Sequence, residues 1–265
     1  MNRQLILQLN QLNQQFYRTT AKAFDQTRQN PWIGWEELQP WIDQITHQDR
    51  AVSALDLGCG NGRWQRFLLD RWPHQTWQLT GVDNSSDLLT RAADQTPVTS
   101  PSKATWQYLD LVQTWLETEP ADLSSLIRTP FDQTYDVITL FGVWHHLPGQ
   151  KLRQDWLTKL ATQLKPHGLL IFTYWQFDHE EPRFNKKAIN PERLNLPADQ
   201  FEIGDLILDW RQGTMAYRYC HLVDALEIEA NNQCLRIAGL TLKGSFLADG
   251  KSGILNQYQV WQRPA

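Results

Sequence analysis

A glycine-rich turn is the segment of this sequence with the clearest chemical meaning. Residues 55–62 read Leu-Asp-Leu-Gly-Cys-Gly-Asn-Gly and stand between an apolar run and a helical pattern. Gly58, Gly60 and Gly62 let the backbone turn tightly and approach a ligand closely, and the following helix start offers N–H groups without intrahelical partners. The turn therefore predicts a ligand site at the end of a strand.

Two aspartates follow strands that would lie beside this turn. Asp83 ends the second predicted strand, 27 positions after Asp56, and Asp110 ends the third. A carboxylate at a neighbouring strand end is placed to receive ribose hydroxyls in nucleoside-binding doubly wound sheets. Each aspartate alone could instead be a helix cap or a turn residue, but as a set they favour ligand binding at one edge of the sheet.

Histidine and arginine side chains supply the remaining candidate chemistry. His145 and His146 follow the fourth predicted strand, so at least one of them should face the same site. A histidine has a pKa near neutrality, so it can act as a base or orient a substrate; the alternative is a helix cap. Arg28, Arg218 and His221 could hold a carboxylate or a phosphate through charge-assisted hydrogen bonds. The alternative for each arginine is an exposed position or a structural ion pair.

An alternating α/β framework is needed to bring these residues together. Strands that alternate with helices imply parallel βαβ units. The last two predicted strands pair around Asp249-Gly250, so the sheet should end with an antiparallel member. The predicted strands are 51–57, 76–82, 105–109, 135–140, 169–174, 216–222, 240–246 and 255–262, and the predicted helices are 5–24, 35–45, 63–72, 87–93, 152–164 and 224–238.

The organisation predicted along the chain is a helical cap over residues 1–48 followed by an α/β domain over residues 49–265. Residues 176–213 are polar, irregular and interrupted by prolines. A connection of this length is usually functional in a compact domain, so we interpret it as a long insert after the fifth strand, on the substrate side.

Composition bounds the class of protein. The chain has 265 residues, which is long enough to bury a core without disulfides or metals. Its three cysteines show no metal-ligand spacing, which predicts no metal site, no disulfide framework and a reducing, cytoplasmic location. No apolar run approaches the ~20 residues of a membrane span, and the polar N-terminus argues against a signal peptide. The net charge of −4 does not favour a large nucleic-acid surface, although it leaves room for a local basic patch.

Five motifs in order make the chain resemble the class I S-adenosylmethionine-dependent methyltransferases. This resemblance spans roughly residues 51–175 and implies a Rossmann-like, doubly wound seven-stranded sheet with a reversed last strand. A dinucleotide dehydrogenase is the structural alternative, but its loop more usually reads Gly-x-Gly-x-x-Gly. The matching segments are 56–62, 82–85, 108–110, 136–138 and 164–170.

The resemblance implies S-adenosyl-L-methionine as the cofactor, with its methionine part against the glycine turn. It assigns Asp83 to the ribose hydroxyls and Asp110 to the adenine amino group, while Asp56 supports the turn. The complete set of implied cofactor-binding residues is Asp56, Gly58, Gly60, Gly62, Asp83, Asp110, Leu111 and Phe141.

A second set of short segments lies at 16–17, 23–24, 27–28, 31–32, 145–147, 204–205, 209–210, 218–222 and 256–260. These segments resemble a narrower family, the wobble-uridine carboxymethyl tRNA methyltransferases, which esterify a carboxylate on a modified uridine. An ionised carboxylate needs alignment with the methyl group rather than a general base. The sequence departs from this family at Cys220, where the family has an aromatic residue, and in the longer connection 111–134. The acceptor-site residues that this resemblance implies are Arg28, His146, Arg218 and His221.

The sequence does not decide whether the methyl acceptor is tRNA or a small molecule. Arg183, Lys186 and Lys187, with Arg193, form a local basic patch that flanks an aromatic residue, as in an RNA-contacting loop, although a solvated charged segment fits equally. A small-molecule O- or N-methyltransferase is the alternative to a tRNA enzyme. A non-catalytic cofactor-binding partner is a further alternative, which the intact glycine turn disfavours.

Overall fold

The computed structural model describes residues 1–46, 50–118, 123, 126, 128–176, 188–210 and 216–265. The strands are β1 (Val52–Leu57), β2 (Trp77–Asp83), β3 (Lys103–Tyr108), β4 (Tyr135–Leu140), β5 (Leu164–Trp175), β6 (Ala188–Ile189), β7 (Asp205–Trp210), β8 (Ala216–His221), β9 (Thr241–Ala248) and β10 (Asn256–Gln262). The α-helices are α1 (Arg3–Gln26), α2 (Gln39–Thr46), α3 (Arg63–Arg71), α4 (Ser86–Gln95), α5 (Leu111–Glu117), α6 (Gln150–Thr162) and α7 (Ala225–Ile237).

The central sheet has seven strands in the order β3-β2-β1-β4-β5-β10-β9. Strands β1 to β5 are parallel to one another, and β1 and β4 are buried along their whole lengths. Nearly continuous apolar strands of this kind belong to parallel sheets that are covered on both faces. Because their carboxyl ends share one edge, the segments that follow β1, β2 and β4 meet there.

The last strand runs in the opposite direction. Strand β10 is antiparallel to both β5 and β9, and the β9–β10 connection contains Asp249 and Gly250, both with positive φ angles. The predicted Rossmann-like, seven-stranded sheet with a reversed last strand is confirmed.

Helices cover both faces of this sheet. One apolar cluster joins the sheet to α5, α6 and α7, and a second joins the opposite face to α2 and α3. Along β1, Ala54 belongs to one cluster and Leu55 to the other, as expected because successive side chains of a strand point to opposite faces. Helix α5 was not predicted, and the predicted helix 35–45 begins as a 3-10 helix over Ile33–Leu38 before α2.

The prediction of an irregular insert is wrong for its second half. Strands β6, β7 and β8 form a separate three-stranded antiparallel sheet, with Asp205 opposite His221 and Trp210 opposite Ala216. The predicted strand 216–222 therefore pairs with the insert instead of with the central sheet. Strand β7 was missed because its sequence, Asp-Leu-Ile-Leu-Asp-Trp, shows no polar–apolar alternation.

Helix α1 packs on this small sheet and connects it to the domain. Leu5 and Leu9 of α1 are buried against Ile207 of β7 and Tyr219 of β8. The N-terminal helix therefore lies across the edge where the parallel strands end. None of the helices in the described ranges combines the length and apolar character that a bilayer-crossing helix needs.

Candidate active site

A cavity of about 480 Å³ lies at the carboxyl ends of β1, β2 and β4. Its wall is completed by α1 and by β8 of the small sheet, which contribute Tyr17 and Arg218. The volume falls in the usual range for small-ligand sites, and the position is where open α/β sheets bind ligands.

The glycine turn forms the floor of this cavity. Gly58 and Gly62 both have a φ of +74°, a conformation that side chains other than glycine rarely adopt. A Cβ atom on Gly58 would lie 2.1 Å from a methyl group of Val143. Gly58 and Gly60 line the cavity, where the lack of a side chain lets the backbone approach a ligand closely. Gly62, a predicted cofactor-binding residue, does not line the cavity, and a Cβ atom there would instead lie 2.8 Å from Thr96 Oγ1.

Asp83 lines the cavity beside the turn, where the sequence places it. Its Oδ2 accepts a hydrogen bond from Gly60 N at 2.9 Å, and its Oδ1 accepts one from Ser85 N at 2.9 Å. Burial raises the pKa of Asp83 to about 6, so the carboxylate is ionised at neutral pH. Each oxygen keeps a lone pair for a further donor such as a ribose hydroxyl.

Asp56 supports the turn from within the protein. It accepts hydrogen bonds from Thr139 Oγ1 at 2.6 Å and from Gln65 Nε2 at 3.0 Å. Burial raises its pKa to about 7. The side chain thereby joins β1 to β4 and α3.

Asp110 has a structural role beside the adenine contact that the resemblance implies. It is the N-cap of α5 and accepts from Gln113 N, and it also accepts from side-chain amides of Asn10, Gln14 and Asn84. These contacts make Asp110 an anchor for α1, because two of the donors lie on that helix. Asp110 and Leu111 both line the cavity edge, but the carboxylate already has several donors.

Phe141 lines the cavity from the end of β4, as the sequence predicts. Its ring packs against Trp32, Trp35 and Trp64 with centroid distances of 6.1, 5.6 and 5.0 Å. Phe141 thereby joins an aromatic wall next to the glycine turn.

His145 and His146 both line the cavity, in a 3-10 helix after β4. Burial lowers the pKa of His146 to about 3 and the pKa of His145 well below its usual range. Both rings are therefore neutral at physiological pH. His146 is held between Tyr17 and Tyr219, whereas Nδ1 of His145 has no hydrogen-bond partner among the described residues.

Arg218 and Arg28 bring positive charge to the acceptor side of the cavity. Arg218 is buried, and its guanidinium lies 5.3 Å from the ring centroid of Phe16 and 5.1 Å from that of Trp175. Arg28 follows α1, and its carbonyl oxygen accepts from Asn61 Nδ2 in the glycine turn at 3.0 Å. Burial lowers the pKa of Arg28, and Arg218 adds to that effect.

His221, the fourth predicted acceptor-site residue, lies outside this cavity. Its Nδ1 is 2.7 Å from Asp205 Oδ1 and its Nε2 is 2.7 Å from Glu227 Oε2, so both ring nitrogens hold carboxylates. These two hydrogen bonds raise the pKa of His221 against the effect of burial. His221 therefore has a structural role, because its contacts with Asp205 and Glu227 connect the small sheet to α7.

The predicted basic patch is described only in part. Arg193 is exposed in a surface 3-10 helix, and Arg183, Lys186 and Lys187 lie outside the described residues.

Several cavity residues were not predicted as site residues from the sequence, and three of them have side chains that could contact a ligand. Tyr17, Arg63 and Trp175 all line the cavity. Arg63 follows the third glycine of the turn directly, a position that could have identified it. Tyr17 stands in a segment that carries the narrower resemblance, but it was not assigned to the site. Trp175 had no local signal, because the end of β5 reaches the cavity only through the fold.

One cluster in the cavity wall has metal-ligand residue types. Ligand atoms of His145, His146 and Cys220 lie within 4.8 Å of one another. Burial raises the pKa of Cys220 to about 11, so its thiol is protonated, and His146 is hydrogen-bonded through both nitrogens. A metal ion needs a thiolate and a bare imidazole nitrogen, which disfavours a cation here.

Comparison with known proteins relates this site to a family. Residues 22–242 match the sequence model of a family described as "Methyltransferase domain". A trans-aconitate 2-methyltransferase from Agrobacterium fabrum is 39% identical over 75 residues, 28% of this chain and 26% of that protein. A demethylmenaquinone methyltransferase from Bacillus licheniformis is 26% identical over 158 residues, 57% of this chain and 56% of that protein. The chain thus spans about a quarter and about half of the lengths of these relatives.

Solved structures show the same fold. An S-adenosylmethionine-dependent methyltransferase from Clostridium acetobutylicum has a TM-score of 0.60 at 14% identity, covering 94% of this chain and 99% of that one. An amino pentose methyltransferase from Micromonospora echinaspora, solved with bound S-adenosylmethionine, has a TM-score of 0.54 at 15% identity, covering 91% of this chain and 95% of that one.

These comparisons support the broader of the two resemblances. The trans-aconitate relatives are methyltransferases named for a small acid, so the narrower resemblance to tRNA wobble-uridine enzymes is not shown. The family match covers the glycine turn, Asp83 and the strands that position them. The chain therefore belongs to the methyltransferase domain family.

Proposed function

We propose that this enzyme methylates a carboxylate oxygen of a small organic acid. The observation that carries the proposal is Arg218, a buried arginine in the cavity wall. Within the described part of the chain it has aromatic neighbours and no carboxylate partner.

An arginine in this state favours an anionic ligand. A buried charge without a partner is unfavourable, so an acid that enters the cavity would compensate it. The Phe16 and Trp175 rings lie on the guanidinium and restrict its orientation. The planar N–H groups of arginine match the two oxygens of a carboxylate.

Another buried arginine of the same chain shows the contrast. Arg153 is fully buried, and it is paired with Glu227 at 2.6 Å and with Glu202 at 3.0 Å. Arg153, a buried arginine with a structural role, is therefore neutralised by carboxylates of the same chain. Arg218 differs from Arg153 in that it lines the cavity and has no carboxylate partner among the residues that the structure describes.

The neutral histidines suit a carboxylate acceptor. When bound, S-adenosylmethionine supplies an electrophilic methyl group. An ionised carboxylate loses no proton when it is methylated, so the enzyme needs to orient the acid and exclude water. His145 and His146, with their lowered pKa values, would be weak bases at neutral pH but can hydrogen-bond an acid.

The relatives agree with this choice of acceptor. Five of the curated relatives are trans-aconitate 2-methyltransferases, a name that specifies a small polycarboxylic acid. The shared segment is short in four of them, so the similarity supports the class of acceptor and does not identify the acid. A modified tRNA uridine with a carboxymethyl group would present the same chemistry to Arg218, and it is the second acceptor to test.

The experiment is methyl transfer from S-adenosylmethionine labelled in its methyl group. The purified enzyme is offered a panel of small mono-, di- and tricarboxylic acids, the matching amides, and bulk tRNA. We expect label to enter one or more of the acids and to be released as methanol by mild base, as for a methyl ester. Base-stable label, label only in amines or phenols, or transfer to tRNA alone would contradict the proposal.

A further inference from the structure

His145 lines the cavity on the side where the acceptor should bind. It follows β4 in the 3-10 helix Trp144–His146, and only 7% of the residue is exposed. Its ring packs against two other rings, with centroid distances of 4.1 Å to His146 and 4.5 Å to Trp175. These contacts fix the orientation of the imidazole in the cavity wall.

The two ring nitrogens of His145 differ in their surroundings. Nδ1 is enclosed by the protein and has no hydrogen-bond partner among the described residues. Nε2 is not enclosed in this way, and it too makes no hydrogen bond within the described part of the chain, so it is the nitrogen that can reach a ligand in the cavity. In His146, by contrast, Tyr17 and Tyr219 occupy both nitrogens. Of these two histidines, His145 is therefore the one that can bind an acceptor.

His145 and Arg218 are placed to contact the same small acid, because both lie against the indole of Trp175. The centroid of the His145 ring is 4.5 Å from that of Trp175, and the Arg218 guanidinium is 5.1 Å from the same indole. Burial, with the neighbouring His146 and Arg218, keeps the pKa of His145 well below its usual range, so the ring is neutral and carries one proton. A carboxylate can only accept hydrogen bonds, so in the complex this proton is on Nε2.

Methylation of an acid changes its contacts with these two residues differently. One carboxylate oxygen forms the bond to the methyl carbon, the methyl–sulfur bond breaks with its electron pair left on sulfur, and no proton moves. The acceptor loses its negative charge, which removes its attraction to Arg218. Its other oxygen becomes an ester carbonyl, which still accepts a hydrogen bond from a neutral N–H group such as that of His145.

We propose that the Nε2–H group of His145 donates a hydrogen bond to the carboxyl group of the acceptor and keeps this bond in the methyl ester product. This assignment requires an acid as the acceptor and so rests on the proposed function. His145 then recognises a carbonyl oxygen, whereas Arg218 recognises negative charge. The cavity thus binds the acid through both residues and the ester through His145 alone.

The test compares an acid with its own methyl ester. The acid is the one that takes up most label in the labelling panel, and its ester is made by synthesis. Affinities for both molecules are measured by calorimetry with S-adenosylhomocysteine present, so that no transfer occurs. We expect His145→Phe, which keeps a ring without N–H groups, to weaken the acid about tenfold and the ester about fivefold. Arg218→Met should weaken the acid at least about tenfold and the ester less than about twofold.

Two further variants separate the hydrogen bond from the shape of the cavity. The amide nitrogen of glutamine can take the place of Nε2, so His145→Gln should bind both molecules within about threefold of the parent. Asparagine brings its amide to the place of Nδ1, so His145→Asn should resemble His145→Phe. His74→Phe, at an exposed histidine, is the matched control and should change neither affinity.

The contrary results are distinct. If His145→Phe weakens neither molecule, or weakens the acid alone, His145 does not hold the ester oxygen and the proposal is wrong. If His145→Gln binds as weakly as His145→Phe, the ring only shapes the cavity, and the proposal is again wrong. If no acid of the panel accepts a methyl group, the proposed function itself fails, and the role of His145 fails with it.

Discussion

The hydroxyl of Tyr17 lies 2.7 Å from Nε2 of His146, and Nδ1 of the same ring lies 3.1 Å from the carbonyl oxygen of Tyr219. A carbonyl can only accept, so Nδ1 carries the proton, and Nε2 is unprotonated and accepts a hydrogen bond from the Tyr17 hydroxyl. One imidazole therefore joins α1, the 3-10 helix after β4 and β8 of the small sheet. Its role is to fix the tyrosine at the cavity, since burial keeps the ring neutral.

The first prediction concerns this pair. Because burial lowers the pKa of His146 to about 3, the ring does not titrate between pH 5 and 8. We expect Tyr17→Phe and His146→Asn each to lower the rate of methyl transfer, with the double variant no slower than the more impaired single one, since the residues act together. When the rate of methyl transfer is measured from pH 5 to 8, His146→Asn should lower the rate by the same factor at every pH. If the rate of the double variant is reduced by the product of the two single reductions, Tyr17 and His146 act independently and the prediction is wrong.

A second prediction concerns cofactor binding at acid pH. The pKa of Asp83 is raised to about 6 by burial, and only the ionised carboxylate accepts well from ribose hydroxyls. Affinity for S-adenosylhomocysteine should therefore fall as the pH drops below about 6. Asp83→Asn should weaken binding about tenfold at pH 7.5 and flatten this dependence. Asp56, whose pKa is also raised, is still present in that variant. If the affinity of Asp83→Asn still falls at acid pH, the pH dependence belongs to Asp56 and not to Asp83.

A third prediction separates the two roles of Asp110. Its hydrogen bonds to α1 and its N-cap position predict that Asp110→Ala lowers the free energy of unfolding by about 1 to 3 kcal/mol. Asp87→Ala, an exposed acid in the first turn of α4, is the control and should change stability little. The measurement is urea unfolding. Unchanged stability with weaker cofactor binding would support the adenine contact implied by the family resemblance.

A fourth prediction follows from the raised pKa of His221, which its hydrogen bonds to Asp205 and Glu227 produce. A group whose pKa is higher in the folded protein contributes stability that is fully present below its unfolded value. That contribution is lost as the pH rises through the folded value. The His221 contribution to the free energy of unfolding should thus decline as the pH rises above about 6.5, and His221→Gln should reduce this decline. If the free energy of unfolding changes equally with pH in the parent and in His221→Gln, the pH dependence comes from other groups.

The sequence predicts the parts of this molecule that depend on local pattern. The glycine turn, the strand-end position of Asp83 and the reversed last strand all follow from neighbouring residues, and the structure has them as predicted. The roles of Asp110 and His221 depend on partners that lie far away in the chain. Asn10 lies 100 positions from Asp110, and nothing near either residue announces that contact.

Pairs of identical residue types show most clearly what the sequence could not predict. His146 and His221 have the same chemistry in the sequence, yet one ring lines the cavity and the other is enclosed between two carboxylates. Arg153 and Arg218 differ in the same way. The pairing of a buried charge is decided by the fold, so residue type and spacing could name the candidates without separating them.

The central claim is that Arg218, a cavity arginine with no carboxylate partner in the described part of the chain, binds an acidic acceptor. The Arg218→Met variant tests this claim most directly. We expect kcat/KM for the acid found in the labelling assay to fall at least about tenfold, while the affinity for S-adenosylmethionine stays within about twofold of the parent. Arg193→Met, at an exposed arginine of the insert, should leave both values unchanged. Full turnover of the acid by Arg218→Met would contradict the claim.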